Sequence, residues 1–228
     1  MRLILFDIDG TLIQSHGAGR EAMTLALQEL FGTTGPVDSY RMDGKTDQRI
    51  VKDLLTAVNI PSEEVEEKLP AIFQAMAEHG RIIFPQRGMT PCPGIPQLLE
   101  TLHSLPDIVL GLLTGNSSQT APLKLAAAGI NPDLFQVGAF GSDHVDRNAL
   151  PFIAKKRALQ LTGQQFNGYN MLVVGDTPAD ILCARAGKAT AVAVATGRYS
   201  VEQLQQYQPD FIFDNLTDTA AFLQLVKQ

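Results

Sequence analysis

Two carboxylates, Asp7 and Asp9, stand directly behind the apolar run Leu3-Ile4-Leu5-Phe6, within the stretch "LILFDIDGTLI". Like charges at ~4 Å repel by about 4 kcal/mol per pair at an effective dielectric near 20. The acidity is repeated elsewhere: Asp176 follows "MLVVG", and Asp180 stands one helical turn further on. Thr114, Gly115 and Asn116 follow the apolar run "VLGLL". A donor set made only of oxygens suits a hard cation. Mg²⁺ is the expected occupant, because it keeps several waters for a substrate to displace. The spacing is not that of an EF-hand calcium loop. Once its charge is screened, a carboxylate can attack a phosphoryl group. Asp7 reads as that nucleophile. Asp9 leans to the same side of the strand end and reads as the acid that protonates the leaving oxygen, then as the base that activates water. Thr114 and the loop N–H groups beside it, at the start of a helix, read as a cradle for phosphoryl oxygens.

These residues need a scaffold that brings distant segments to one edge. From residue 91 onward, short apolar runs ("IVLGLL", "FQVGAF", "MLVVG", "TAVAVA", "FIF") alternate with amphipathic helical segments. Continuous apolar strands between helices imply an α/β fold: a Rossmann-like, doubly wound parallel sheet covered on both faces. Ligands of such sheets bind beyond the carboxyl ends of the strands, where each polar cluster falls. Residues 16–82 lack a convincing strand and read as a helical insert. "REAMTLALQELFG" and "DQRIVKDLLTAV" have helical periodicity, and a third helix opens at "PSEEVEEKL" with Ser62 as its cap. Pro70 is expected to kink or split that third helix. The expected division is a catalytic core of residues 1–15 and 83–228 with a helical cap at 16–82.

Composition removes several functions. The 228 residues are 45% apolar with net charge −6, enough for a full core and without a basic stripe for nucleic acid. Trp is absent, and Phe and Tyr are sparse, so no base-stacking platform is expected. No apolar run approaches the ~20 residues of a membrane helix. "MRLILF" is too short for a secretory signal and Asp7 interrupts it. Cys92 and Cys183 are far apart, consistent with a reduced cytoplasmic protein in which both are small apolar residues.

The motifs "DIDGTL", "LLTGN" and "GDTPAD", in that order and on those elements, resemble the haloacid dehalogenase superfamily of phosphohydrolases. The likeness is to its phosphoglycolate phosphatase and β-phosphoglucomutase branch, and the insert after the first motif resembles that branch's cap. The resemblance spans nearly the whole chain. It implies Asp7 as nucleophile and Asp9 as acid/base. It implies Mg²⁺ held by Asp7, the Asp9 backbone carbonyl and Asp176, with Asp180 supporting the metal or its waters. It implies Thr114 on the phosphate of a small phosphorylated metabolite. The family usually places a lysine ahead of the helix before the last motif. Here the region reads "DHVDRNALPFIAKK", where Arg147 is the best substitute by position and Lys155 and Lys156 sit deeper in the helix. Within the insert, Arg20, Arg41, Lys45 and Arg49 are candidates for gripping the leaving group, and "RMDGKTDQR" reads as a specificity loop.

Plainer readings stand beside these. Asp180 suits the solvent side of a first helical turn. Thr114 suits a helix cap, as do Asn116 and Ser117. Lys155 and Lys156 suit a solvated helix face, and His16, at the entry to the insert, suits solvent before substrate contact. A phosphomutase would share the same motifs. A 2-haloacid dehalogenase needs neither Asp9 nor Asp176, and a non-catalytic binding protein on the same fold would be expected to show eroded motifs.

Overall fold

The computed structural model describes residues 1–227. Its sheet is built from β1 (Arg2–Phe6), β4 (Ile108–Leu113), β5 (Val137–Ala139), β6 (Gly168–Gly175), β7 (Ala189–Val194) and β8 (Phe211–Phe213). Their spatial order is β5-β4-β1-β6-β7-β8, and every pair is parallel. The chain leaves β1 toward β4 and β5, then crosses back to β6. The carboxyl end of β1 therefore lies where the winding reverses, the place at which such sheets open a crevice.

Both faces of each strand are apolar, which accounts for the continuous hydrophobic runs. Ile4, Phe6, Leu112 and Val174 join one core cluster, together with α4 (Ile95–His103) and α9 (Thr219–Lys227). Leu3, Leu5, Leu113 and Val173 join the other, with α6 (Leu150–Thr162) and α7 (Pro178–Ala186). One residue of slip in β1 would exchange these two sets, so the register is strongly specified.

The insert consists of α1 (Ala18–Phe31), α2 (Asp47–Thr56) and α3 (Ser62–Arg87), which share a third cluster that includes Leu27, Leu54 and Phe73. A short antiparallel ribbon, β2 (Ile13–Gln14) with β3 (Thr90–Pro91), closes its entry and exit. The sequence pattern missed this ribbon, because two residues carry no period. It also misjudged α3, which runs unbroken through Pro70 to Arg87, past residue 82. Pro70 is exposed, so water can satisfy the carbonyl it leaves without a partner. The extension follows from packing: Phe73 and Met76 belong to the insert's cluster, whereas Ile83 and Phe84 belong to the sheet's. Ser62 is the first helical residue rather than the cap.

Candidate active site

Asp7 extends β1 by one residue, its N–H donating to the Val174 carbonyl of β6 at 2.9 Å. Thr114 extends β4 in the same way, its N–H donating to the Ala139 carbonyl at 3.0 Å. Asp176 directly follows β6. Adjacent strand ends thus deliver all three motifs to one edge, over a cavity of about 500 Å³ that they line.

Oxygens of Asp7, Asp176 and Asp180 lie within 4.8 Å of one another, and all three residues are buried. Burial drives the Asp7 carboxyl up to about 6, with Asp180 and Asp9 adding to the rise and the Arg147 guanidinium opposing it. Burial, then the charges of Asp180 and Asp7, push Asp176 well above the usual carboxylate range. Thr11 Oγ1 donates to Asp176 Oδ1 at 3.0 Å. Gly10 lets the chain pass this close: its φ is +85°, and a Cβ there would stand 2.4 Å from Asp176 Oδ2.

Asp180 is 2% exposed, which rules out the solvent-facing reading. Its Oδ2 accepts from the Thr177 N–H at 3.0 Å and from Thr177 Oγ1 at 2.7 Å, capping α7. Its Oδ1 meets Arg147 Nη2 at 2.5 Å, and the same nitrogen lies 3.1 Å from Asp7 Oδ1. Arg147, in a 3₁₀ turn ahead of α6, thus reaches the centre of the acidic group. Its buried Nε has no hydrogen-bond partner among the described residues. Lys155 instead donates to the Gly187 carbonyl, away from the cavity, and Lys156 is exposed.

Asp9 does not join the acidic group through its side chain. Its Oδ1 and Oδ2 meet Lys124 Nζ at 2.8 and 2.7 Å, and Oδ2 also accepts from Asn116 Nδ2 at 2.7 Å. Burial works against the ionised form, but the Lys124 charge and these hydrogen bonds hold the Asp9 carboxyl below its ordinary value. Asn116 Nδ2 and N–H also donate to Thr114 Oγ1, at 2.9 and 3.3 Å. That hydroxyl keeps its own proton to offer. Sequence reasoning passed over Lys124, which lies on α5 (Ala121–Ala127) and is 4% exposed. The available signal was a lone lysine in the apolar stretch "APLKLAA".

The insert supplies the opposite wall. Arg20 borders the cavity, but its guanidinium donates to the carbonyls of Val37 and, at 3.0 Å, Tyr40. Two of its five N–H donors therefore hold the 37–40 loop. Lys45 Nζ bonds Tyr40 Oη at 2.8 Å and lies over its ring. Arg49 pairs with Asp53 and Arg41 is exposed, both off the cavity lining, and His16 also faces solvent. Asp47, at the start of α2, grips the motif loop: its N–H donates to the Gly115 carbonyl at 2.7 Å, and its Oδ2 accepts from the Ser117 N–H at 2.8 Å. The thiols of Cys92 and Cys183 are buried and pushed up by that burial to about 11 and 12, so neither is a nucleophile. Among the described residues no helix is long and apolar enough to cross a membrane.

Known proteins are similar to this chain over nearly its whole length. A phosphoglycolate phosphatase from Vibrio parahaemolyticus is 26% identical over 225 residues, 96% of this chain and 94% of that protein. One from Aquifex aeolicus is 26% identical over 220 residues, covering 96% and 94%. The crystal structure of a hydrolase from Pseudomonas syringae superposes with a TM-score of 0.68 at 24% identity, covering 98% and 97%. That of a predicted phosphoglycolate phosphatase from Haemophilus somnus gives 0.68 at 22%, covering 98% of each chain. These structural likenesses show the shared fold. The family profile of haloacid dehalogenase-like hydrolases matches residues 1–188, and the chain belongs to that family.

Proposed function

We propose that this protein is a Mg²⁺-dependent phosphatase that hydrolyses a small phosphorylated metabolite through an aspartyl-phosphate on Asp7. The observation that carries the proposal is the buried group of Asp7, Asp176 and Asp180, three carboxylates of which only Asp7 and Asp180 pair with the one guanidinium, that of Arg147. Burial first, then neighbouring carboxylates, push Asp7 and Asp176 up, and a cation bound among them would oppose that push. The residues fit Mg²⁺, which would be held by Asp7, the Asp9 carbonyl and Asp176, with Asp180 in support. Bound there, it would supply the neutralising charge that lets an anionic nucleophile meet an anionic ester.

The chain's own residues do the rest. Arg147, with an unpartnered buried Nε, offers donors and charge to the phosphoryl oxygens. Thr114 Oγ1 and the Gly115–Asn116 amides hold those oxygens at the loop before α5. Asp9 lines the same cavity two residues beyond Asp7, where it would pass a proton to the leaving oxygen and later take one from the hydrolytic water. The insert acts as a cap: residues 16–82 and the α3 extension close the site against bulk water. Among small phosphomonoesters, phosphoglycolate is the first to try, because the curated relatives hydrolyse it by name.

The test is phosphate release from a panel of phosphomonoesters with and without Mg²⁺. Wild-type protein should release phosphate only with the metal. Release that persists in Asp7→Asn protein would remove Asp7 as the nucleophile. An accumulating isomer in place of free phosphate would instead identify a mutase.

A further inference from the structure

We infer that Lys124 is a positioning residue for Asp9, and that the first helix of the insert holds it in place through Gly19. The inference rests on the reading of Asp9 as the acid/base group. Lys124 stands on α5, a helix of the sheet domain, and its side chain is 5% exposed. Two of its three N–H groups go to the two oxygens of one carboxylate. A bidentate clamp of this kind fixes the rotamer of Asp9, and Asn116 adds a third restraint from the phosphate-binding loop. Burying an ammonium costs free energy unless it is paired, and the Asp9 carboxylate supplies that partner.

The insert closes the other side. A Cβ on Gly19, near the start of α1, would lie 2.8 Å from Lys124 Nζ and 3.2 Å from Cε, with no other atom within 4 Å. The missing side chain leaves the space the ammonium occupies. Asp47, on α2, lies close enough that the Lys124 charge acts on its carboxyl. Lys124 is thus walled by two helices of the insert and bonded to an acid of the sheet. Seating the insert thereby sets the geometry of Asp9, whereas the acidic group around Arg147 belongs to the sheet edge alone.

The test compares wild type, Lys124→Met, Asp9→Asn, the double variant and Gly19→Ala in the full chain with Mg²⁺. The probe is p-nitrophenyl phosphate, with inorganic phosphate as inhibitor. Lys124→Met should lower kcat by about 100-fold, as misplaced catalytic groups do, while KM and the phosphate Ki change by less than about 3-fold. In the Asp9→Asn background the same substitution should cost less than about 3-fold, because its effect passes through Asp9. Gly19→Ala should leave Tm unchanged or higher, since Ala favours helix, yet lower kcat several-fold by displacing the ammonium. A raised phosphate Ki with kcat intact would make Lys124 a phosphate clamp and overturn the inference. So would losses that multiply in the double variant. Should Lys124→Met fail to fold, full activity in Gly19→Ala overturns it by itself. Wild type without phosphatase activity would be a separate result: it refutes the proposed function and this inference with it. An active wild type with an additive cycle refutes only the inference.

Discussion

The carboxyl edge of the sheet carries two acidic groups that solve the same electrostatic problem in opposite ways. Around Arg147, one guanidinium pairs with two of three buried carboxylates, Asp7 and Asp180 but not Asp176, and the formal balance stays negative. Around Lys124, Asp9 meets an ammonium directly and an amide from Asn116, and its carboxyl is held below its ordinary value. Asp7, one strand repeat away, is pushed up to about 6. The first group could hold a further cation. The second is already compensated, and its carboxylate is held in the ionised form. One strand end therefore carries two carboxylates shifted in opposite directions, because neighbours set the chemistry of each.

The contrast is open to experiment. The largest effect on stability is expected from Arg147→Met, which leaves Asp7 and Asp180 buried without their shared partner. A loss of about 3–5 kcal/mol in urea unfolding is expected without added metal. A loss under about 1 kcal/mol would mean that the acidic group does not depend on the guanidinium.

Asp47 tests the compensated side. Burial raises its carboxyl from 3.8 to about 6, with the Lys124 charge opposing. The folded state then binds a proton that the unfolded chain has released. The associated stability is complete below pH 3.8 and is lost as pH climbs to about 6. At about 1.4 kcal/mol per pH unit, the loss is up to about 3 kcal/mol. Asp47→Asn keeps an acceptor for the Ser117 N–H and has no proton to lose. It should match wild type near pH 4 and exceed it near pH 7 in denaturant unfolding. Equal stability at both pH values would contradict the burial of this carboxyl.

Mg²⁺ should act only on the first group. At 100 times its Kd it should stabilise wild type by about 2.7 kcal/mol, read as a rise in Tm. Asp176→Asn should show far less. An equal rise in both proteins would place the ion elsewhere.

The smallest effect is expected at the rim, where Arg198 of the sheet domain pairs with Asp43 of the insert at 3.1 Å and the arginine side chain is 61% exposed. Arg198→Ala should change stability by less than about 1 kcal/mol, and less still in high salt. A larger loss would mean that this exposed contact holds the insert down, in place of the buried Asp47 and Lys124 contacts.

Local order in the chain was enough to establish much of this. The apolar runs marked the strands, because a sheet covered on both faces leaves no polar side to its strands. The motifs ending those runs marked Asp7, Thr114 and Asp176, because a parallel sheet sends all its strand ends to one edge. The cap of α7 was legible from Thr177 and Pro178, since capping is local chemistry.

Tertiary structure decided what depends on contacts between distant residues. Lys124 meets Asp9 across 115 positions and Arg147 meets Asp180 across 33, and no periodicity encodes such pairs. Arg20 looked like a substrate residue alone, and folding also ties it to the 37–40 loop. Pro70 looked like a break until α3 was anchored in two clusters at once. Backbone preferences act over a few residues and can be read along the chain. Side-chain charge and hydrogen bonding act through space, so their partners exist only once the chain has folded.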